Sequence, residues 1–188
     1  MATRLLFDGR RAIGVACCVE GEERNYFAAR EVILCGGSIN SPKLLMLSGL
    51  GPAGHLKDRG VEVVADLPGV GQNLQDHADV VIEYETAAEA SLAWAAKPWW
   101  FALILARWFL FRTGPAASNI FEVGGIFRSR PEVVRGDMQV HLAPFLFYDE
   151  PEGIRFDDGY MIHLALLRPK SRGSIRLSSP DVNAAPEI

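Results

Sequence analysis

A short apolar run, Val32-Ile33-Leu34-Cys35, ends in Gly36-Gly37 and passes into Ser38-Ile39-Asn40-Ser41-Pro42-Lys43-Leu44-Leu45-Met46-Leu47-Ser48-Gly49-Leu50-Gly51. This junction constrains the fold of the chain more than any other feature. A continuous apolar run of this length suits a strand buried in a parallel sheet. Glycines at its end remove the Cβ and let the backbone approach something flat or phosphorylated. Asn40 or Ser41 can cap the helix that follows, Pro42 suits its first position, and Ser48-Gly49 can end it through a left-handed turn. Ligands of doubly wound sheets lie at the carboxyl ends of strands, where helix N-termini offer free amides, so a cofactor contact is physically reasonable here. Taken alone, the glycine pair also fits an ordinary strand-turn-helix unit.

The rest of the chain divides near residue 75. Before it, strands are predicted at 3–7, 12–19, 25–28 and 31–35, with turns at Asp8-Gly9 and residues 20–23. A second helix is expected from residue 52 to 59, closed by Gly60, and then a strand at 61–65. After it, strands at 79–85, 120–127, 139–145, 160–167 and 174–177 suggest an antiparallel sheet backed by helix. Residues 87–96 are mildly alanine-biased. The fold expected is α/β followed by α+β, with domains at 1–75 and 76–188.

Charge and composition exclude several functions. With 49% apolar and 22% charged residues, the 188-residue chain has the make-up of a folded globular protein. A net charge of -4 leaves no basic stripe to displace phosphate counterions, so no nucleic-acid partner is expected. Cys17, Cys18 and Cys35 form no Cys-x-x-Cys pair and their odd number does not suggest a disulfide scaffold, which points to a cytoplasmic setting. Cys35 reads as a small buried apolar residue. The hydrophobic run at 99–111 is about thirteen residues long and interrupted by Arg107, short of the roughly twenty needed to span a bilayer. It reads as a packed or interfacial helix, with membrane contact the alternative because all four tryptophans cluster at 94–108.

The fifteen residues from Gly37 to Gly51 resemble the second signature of the glucose–methanol–choline (GMC) flavoprotein oxidoreductases. Leu67-Pro68-Gly69-Val70-Gly71-Gln72-Asn73-Leu74-Gln75-Asp76-His77 is similar to the next landmark of that family, at the usual distance. Residues 7–15 resemble the hairpin before the signature, and 118–129 and 170–177 resemble segments of the bacterial choline dehydrogenase branch. The resemblance implies a partial FAD-binding, Rossmann-like domain followed by part of an antiparallel substrate-binding domain. It also implies oxidation of a primary alcohol, choline or another, to an aldehyde by hydride transfer to FAD.

Members of that family are roughly three times this length and open on a Gly-x-Gly-x-x-Gly turn for the FAD pyrophosphate. Their catalytic histidine lies in a later segment than any matched here. The chain is therefore expected to be an internal piece of a larger enzyme, inactive alone. Two alternatives are a truncated remnant and one chain of a split enzyme whose partner carries the glycine turn and the histidine. Exposed surface left by missing strands would favour self-association. The reoxidant of the flavin would be oxygen or a membrane or quinone acceptor.

The resemblance assigns cofactor contacts to Gly36, Gly37, Ser38, Asn40, Asn73 and His77. By residue type alone, Asn73, Asp76 and His77 fit equally well as groups bonding backbone where the chain passes between domains. His77 and Asp79 share a face if that segment is extended, but two such groups without a further ligand cluster make a poor metal site, and none is expected. In choline-oxidising relatives an acidic residue matching Asp79 faces the trimethylammonium group. A carboxylate near aromatic rings suits a cation that has no hydrogen-bond donor. Aspartate stands here where those relatives carry glutamate, which draws the carboxylate back by about one methylene. His141, in Asp137-Met138-Gln139-Val140-His141-Leu142, is similar to a histidine placed by the alcohol in choline-type members, and also fits a satisfied core histidine. His163 and His55 carry weaker claims, and His55 reads as a solvated residue on a surface helix.

Overall fold

Glycine-bearing turns fold the first residues into an antiparallel meander. In the computed structural model, which describes residues 1–87, 90–121 and 123–188, β1 (Ala2–Asp8), β2 (Arg11–Val19) and β3 (Glu22–Phe27) lie in that order. The turns fall where Gly9, Glu20 and Gly21 adopt positive φ. Leu5 and Ala16 are buried on this sheet.

Residues 31–35 depart from the strand expected of them and form no regular element. A parallel strand depends on neighbours for its hydrogen-bond ladder, and no described strand pairs with this segment. Val32 and Leu34 are half-buried and line a recess of about 420 Å³ with Val15, Leu44 and Leu47. Ile33 and Cys35 are exposed, so Cys35 is not the buried residue its apolar neighbours suggested.

Helix α1 (Gly37–Leu47) follows and begins earlier than Asn40 or Ser41 would place it. Gly36 occupies the N-cap and Gly37, at φ 74°, makes the turn that a side chain would oppose. Asn40 therefore lies inside the helix, Pro42 sits past its first turn, and the Ser41 hydroxyl accepts the Gly36 N–H at 3.0 Å. The far end is as expected, with Ser48 as C-cap and Gly49 at φ 83°. β4 (Leu50–Gly51) leads to α2 (Ala53–Asp58), which Arg59 and a left-handed Gly60 close. β5 (Ala65–Asp66) pairs in parallel with β4, and β6 (Gln72–Leu74) ends this stretch.

The chain folds as two compact units, one of Met1–Gln75 with Lys170–Ile188 and the other of Asp76–Pro169. In the second unit, β7 (Asp79–Glu85) is followed by α3 (Pro98–Phe111), β8 (Val123–Phe127), β9 (Met138–Ala143), β10 (Leu146–Glu150), β11 (Gly153–Asp157) and β12 (Gly159–Leu166). Four of these strands form an antiparallel sheet in the order β7-β12-β9-β8. Directly opposed Tyr84 and Tyr160 stack across it, with ring centroids 5.1 Å apart. The β10-β11 hairpin, turned at Pro151-Glu152-Gly153, was not anticipated from the sequence. Of the residues read as strand or as alanine-biased, Glu122, Ala88 and Glu89 lie outside the described residues.

Helix α3 occupies the tryptophan-rich run. Only Ile104 of it is buried, and Trp99, Phe109, Leu110 and Phe111 are largely exposed, so most of this helix is left uncovered by the described residues. Among the described residues no helix is long and apolar enough to cross a membrane.

The last strand, β13 (Gly173–Ser174), pairs with β6, and Ile175 and Leu177 join Met46 and Leu56 in the core of the first unit. The sequence suggests a single domain from residue 76 to the end, whereas 170–188 packs with the first unit. Two fully buried apolar side chains on this segment account for that, since their natural cover is the α1-α2 core.

Candidate functional site

Two groups of the sequence-selected residues fall on different units. On the first unit, the backbone from Gly36 to Asn40 is exposed at the start of α1, where the Gly36 N–H is held by the Ser41 hydroxyl and no side chain caps the amides that follow. Ser38 and Asn73 line one recess of about 350 Å³ together with Gly71, Gln72 and Ile175. Asn73 is held at φ 64°, a left-handed conformation that asparagine tolerates better than most residues. A Cβ on Gly37 would meet nothing within 4 Å, so the surface there is open as well as bare of side chains. His77 belongs to the second unit, is exposed, and donates its backbone N–H to Asp76 Oδ1 at 2.9 Å.

On the second unit, the antiparallel register assembles a row across the sheet. His163 on β12 stands directly opposite His141 on β9, and His141 stands opposite Gly124 on β8. Asp79 on β7 pairs with Ala165, which puts it diagonal to His163 on the same face. Its Oδ2 lies 2.7 Å from His163 Nδ1. The two imidazoles stack with centroids 4.7 Å apart and planes 6° from parallel. Phe121 lies beside both with its ring plane nearly perpendicular to theirs, at 5.1 Å from His141 and 6.2 Å from His163. Gly124 is required under this arrangement, because a Cβ there would lie 2.8 Å from the Val140 carbonyl and 3.3 Å from His141 Cβ.

Two ring nitrogens of the row are unusual. His141 Nδ1 and His163 Nε2 are buried and have no hydrogen-bond partner among the described residues. Such groups cost stability unless a partner arrives, and they cluster where ligands bind. The described residues contain no group of three or more ligating side chains that could hold a metal ion.

Asp79 and His141 are thus brought onto one face. His163, given a weaker claim by the sequence, is the residue that joins them, and Phe121 was not singled out at all. The signal for both is the pairing of strands remote in the chain, which local sequence does not carry. His55 also departs from its reading. Its Nε2 accepts the Leu177 backbone N–H at 3.0 Å, and burial, with Arg176 and Arg59 nearby, holds its pKa below the usual histidine value.

A family model described as GMC oxidoreductase matches residues 1–79. An oxygen-dependent choline dehydrogenase of Burkholderia ambifaria is 43% identical over 189 residues, covering 100% of this chain and 33% of its own length. That of Brucella anthropi is 42% identical, covering 100% and 34%. A formate oxidase of Aspergillus oryzae superposes with a TM-score of 0.82 at 26% identity, over 100% of this chain and 38% of its own. The first 79 residues match the GMC oxidoreductase model, and together these likenesses support a GMC-type fragment.

An FAD-dependent oxidoreductase of Chaetomium thermophilum, 23% identical with a TM-score of 0.72 over 100% of this chain and 39% of its own, shares the fold. The chain spans about a third of the length of the curated GMC relatives it matches. GMC oxidoreductases are FAD-dependent, and the start of α1 fits such a group: exposed backbone amides suit carbonyl and phosphate oxygens, and Gly37 leaves the approach open.

Proposed function

We propose that this chain supplies a flavin-facing edge and part of the alcohol site of an FAD-dependent oxidoreductase that converts a primary alcohol bearing a cationic group, such as choline, to its aldehyde. The observation that carries this reading is the row Asp79, His163, His141 and Phe121 on one sheet face. It combines a carboxylate, an aromatic ring and a histidine with an unpartnered buried nitrogen. A quaternary ammonium offers no hydrogen bond and is recognised by charge and by aromatic faces, roles open to Asp79 and Phe121. His141 binds the hydroxyl end, its ring held in place by the stack with His163 and by contact with Phe121.

Gly37, Ser38 and Asn40 would hold the cofactor through the open amides of α1, with Gly36 at the N-cap shaping their approach and Asn73 alongside Ser38 in the same recess. FAD, when bound, supplies the acceptor for the hydride that leaves the alcohol carbon. The chain's own part is to bind and orient the alcohol. Whole-chain identity of 43% with choline dehydrogenases favours a cationic alcohol over formate, whose oxidase is 26% identical.

The test has two steps. Flavin absorbance should co-elute stoichiometrically with the monodisperse protein in gel filtration after incubation with FAD; a folded, flavin-free peak would count against the cofactor role. Calorimetric titration should then show choline binding weakened at least tenfold by Asp79→Asn, with its neutral isostere 3,3-dimethylbutan-1-ol unaffected. Equal loss for both ligands would remove the cation-binding role of Asp79.

A further inference from the structure

His163 has no task in binding either end of the alcohol, yet it is the most constrained side chain of the row. Its Nδ1 meets the Asp79 carboxylate at 2.7 Å, its face is covered by His141 and its side by the ring of Phe121. The side chain is 13% exposed, whereas that of Asp79 is 36% exposed on β7, an edge strand of the sheet. A carboxylate in that position, left alone, would sample several rotamers in water. Here one of its oxygens is taken by a ring that cannot turn.

The hydrogen-bond network also fixes which nitrogen of His163 carries the proton. With the proton on Nδ1, the ring donates to Asp79 and leaves only a lone pair unmet at the buried Nε2. With the proton on Nε2, a buried N–H would lack an acceptor while a lone pair faced a carboxylate, two penalties in place of one. The Nδ1–H tautomer is therefore the one this geometry holds.

We infer that His163 is a positioning residue for Asp79. Its Nδ1–H ties down Oδ2, so that Oδ1 is the oxygen left to face the cationic end of the alcohol. This rests on the substrate reading given above. It adds that selectivity for a cation depends on a histidine that need not touch the substrate: Asp79 supplies the charge and His163 supplies its direction. Because the β12-β9 register stacks His163 on His141, the same ring couples the groups proposed for the two ends of the alcohol.

The experiment uses the flavin-loaded protein and three substitutions. His163→Asn keeps an N–H donor close to where Nδ1 stands, His163→Gln carries its amide farther out, and His163→Leu removes the donor. In calorimetric titrations, His163→Leu and His163→Gln should each weaken choline about tenfold more than they weaken its neutral isostere; His163→Asn should recover most of the loss. In the unsubstituted protein, a long-range proton–nitrogen imidazole spectrum should show His163 protonated at Nδ1, which requires no variant to fold. An Nε2–H signal overturns the inference directly. So does a choline affinity that His163→Leu leaves unchanged while Asp79→Ala weakens it, an outcome that keeps the substrate reading. If Asp79→Ala changes the affinities for choline and its isostere equally, the substrate reading fails together with the inference, while the spectrum still reports whether the pair exists.

Discussion

The imidazole of His55 accepts a hydrogen bond from the Leu177 backbone N–H at 3.0 Å, joining residues 122 positions apart. Only the neutral ring can accept, and burial, helped by Arg176 and Arg59, lowers the His55 pKa from its ordinary 6.5. The unfolded chain therefore binds a proton more readily than the folded one. The contribution of His55 is complete above about pH 6.5 and is lost as the pH falls through the lowered folded value. Urea midpoints measured between pH 7.5 and 5 should fall more steeply for the native sequence than for His55→Ala. Parallel pH profiles would show that the bond plays no such part.

Ser48 serves two backbone groups at once. Its buried hydroxyl accepts the Leu5 N–H at 2.8 Å and donates to the Leu44 carbonyl at 2.6 Å, pinning β1 to the end of α1. Ser48→Ala leaves the buried Leu5 donor unmet and should cost about 1–3 kcal/mol. Urea unfolding would measure it, and a loss below about 0.5 kcal/mol would mean that the strand finds another acceptor.

Gly71 and Gly69 make a matched pair. Gly71 has φ 76°, and a Cβ there would run into the Ile175 carbonyl, beside the Ile175 N–H to Gly71 carbonyl bond of 2.6 Å. Gly71→Ala should destabilise by about 2–4 kcal/mol, combining left-handed strain with overpacking. Gly69 has open space around its Cβ position, so Gly69→Ala should change stability by less than about 0.5 kcal/mol. Similar thermal midpoints for the two variants would contradict this account of how residues 170–188 dock.

Gly124 tests the row on the second unit. Gly124→Ala presses a methyl group against the Val140 carbonyl and His141 Cβ and should displace the His141 ring from Phe121. Choline and its neutral isostere should weaken together, because His141 serves the hydroxyl they share, in contrast to the cation-selective effect of Asp79→Asn. An unchanged affinity for both would place the hydroxyl elsewhere.

Local chemistry made much of this architecture readable in advance. The hairpin turns lie at Gly9 and Gly21, and α1 and α2 end where Gly49 and Gly60 turn left-handed. Each of these follows from backbone freedom within a few residues. The β7 and β12 strands were legible for the same reason, as uninterrupted runs rich in strand-forming residues. The start of α1 was misplaced because a glycine can open a helix without any side-chain cap, so the polar residues at Asn40 and Ser41 gave a false boundary.

By itself the sequence determined the GMC signature, the hairpins, the helix ends and the presence of Asp79 and His141, because these are set by residue identity over short spans. Tertiary structure alone decided that residues 31–35 stay irregular, that Ile175 and Leu177 return to the first core, and that His163 stands between Asp79 and His141. Strand pairing and core burial join residues tens of positions apart. Their free energy comes from the partner surface, and no local pattern encodes which partner that will be.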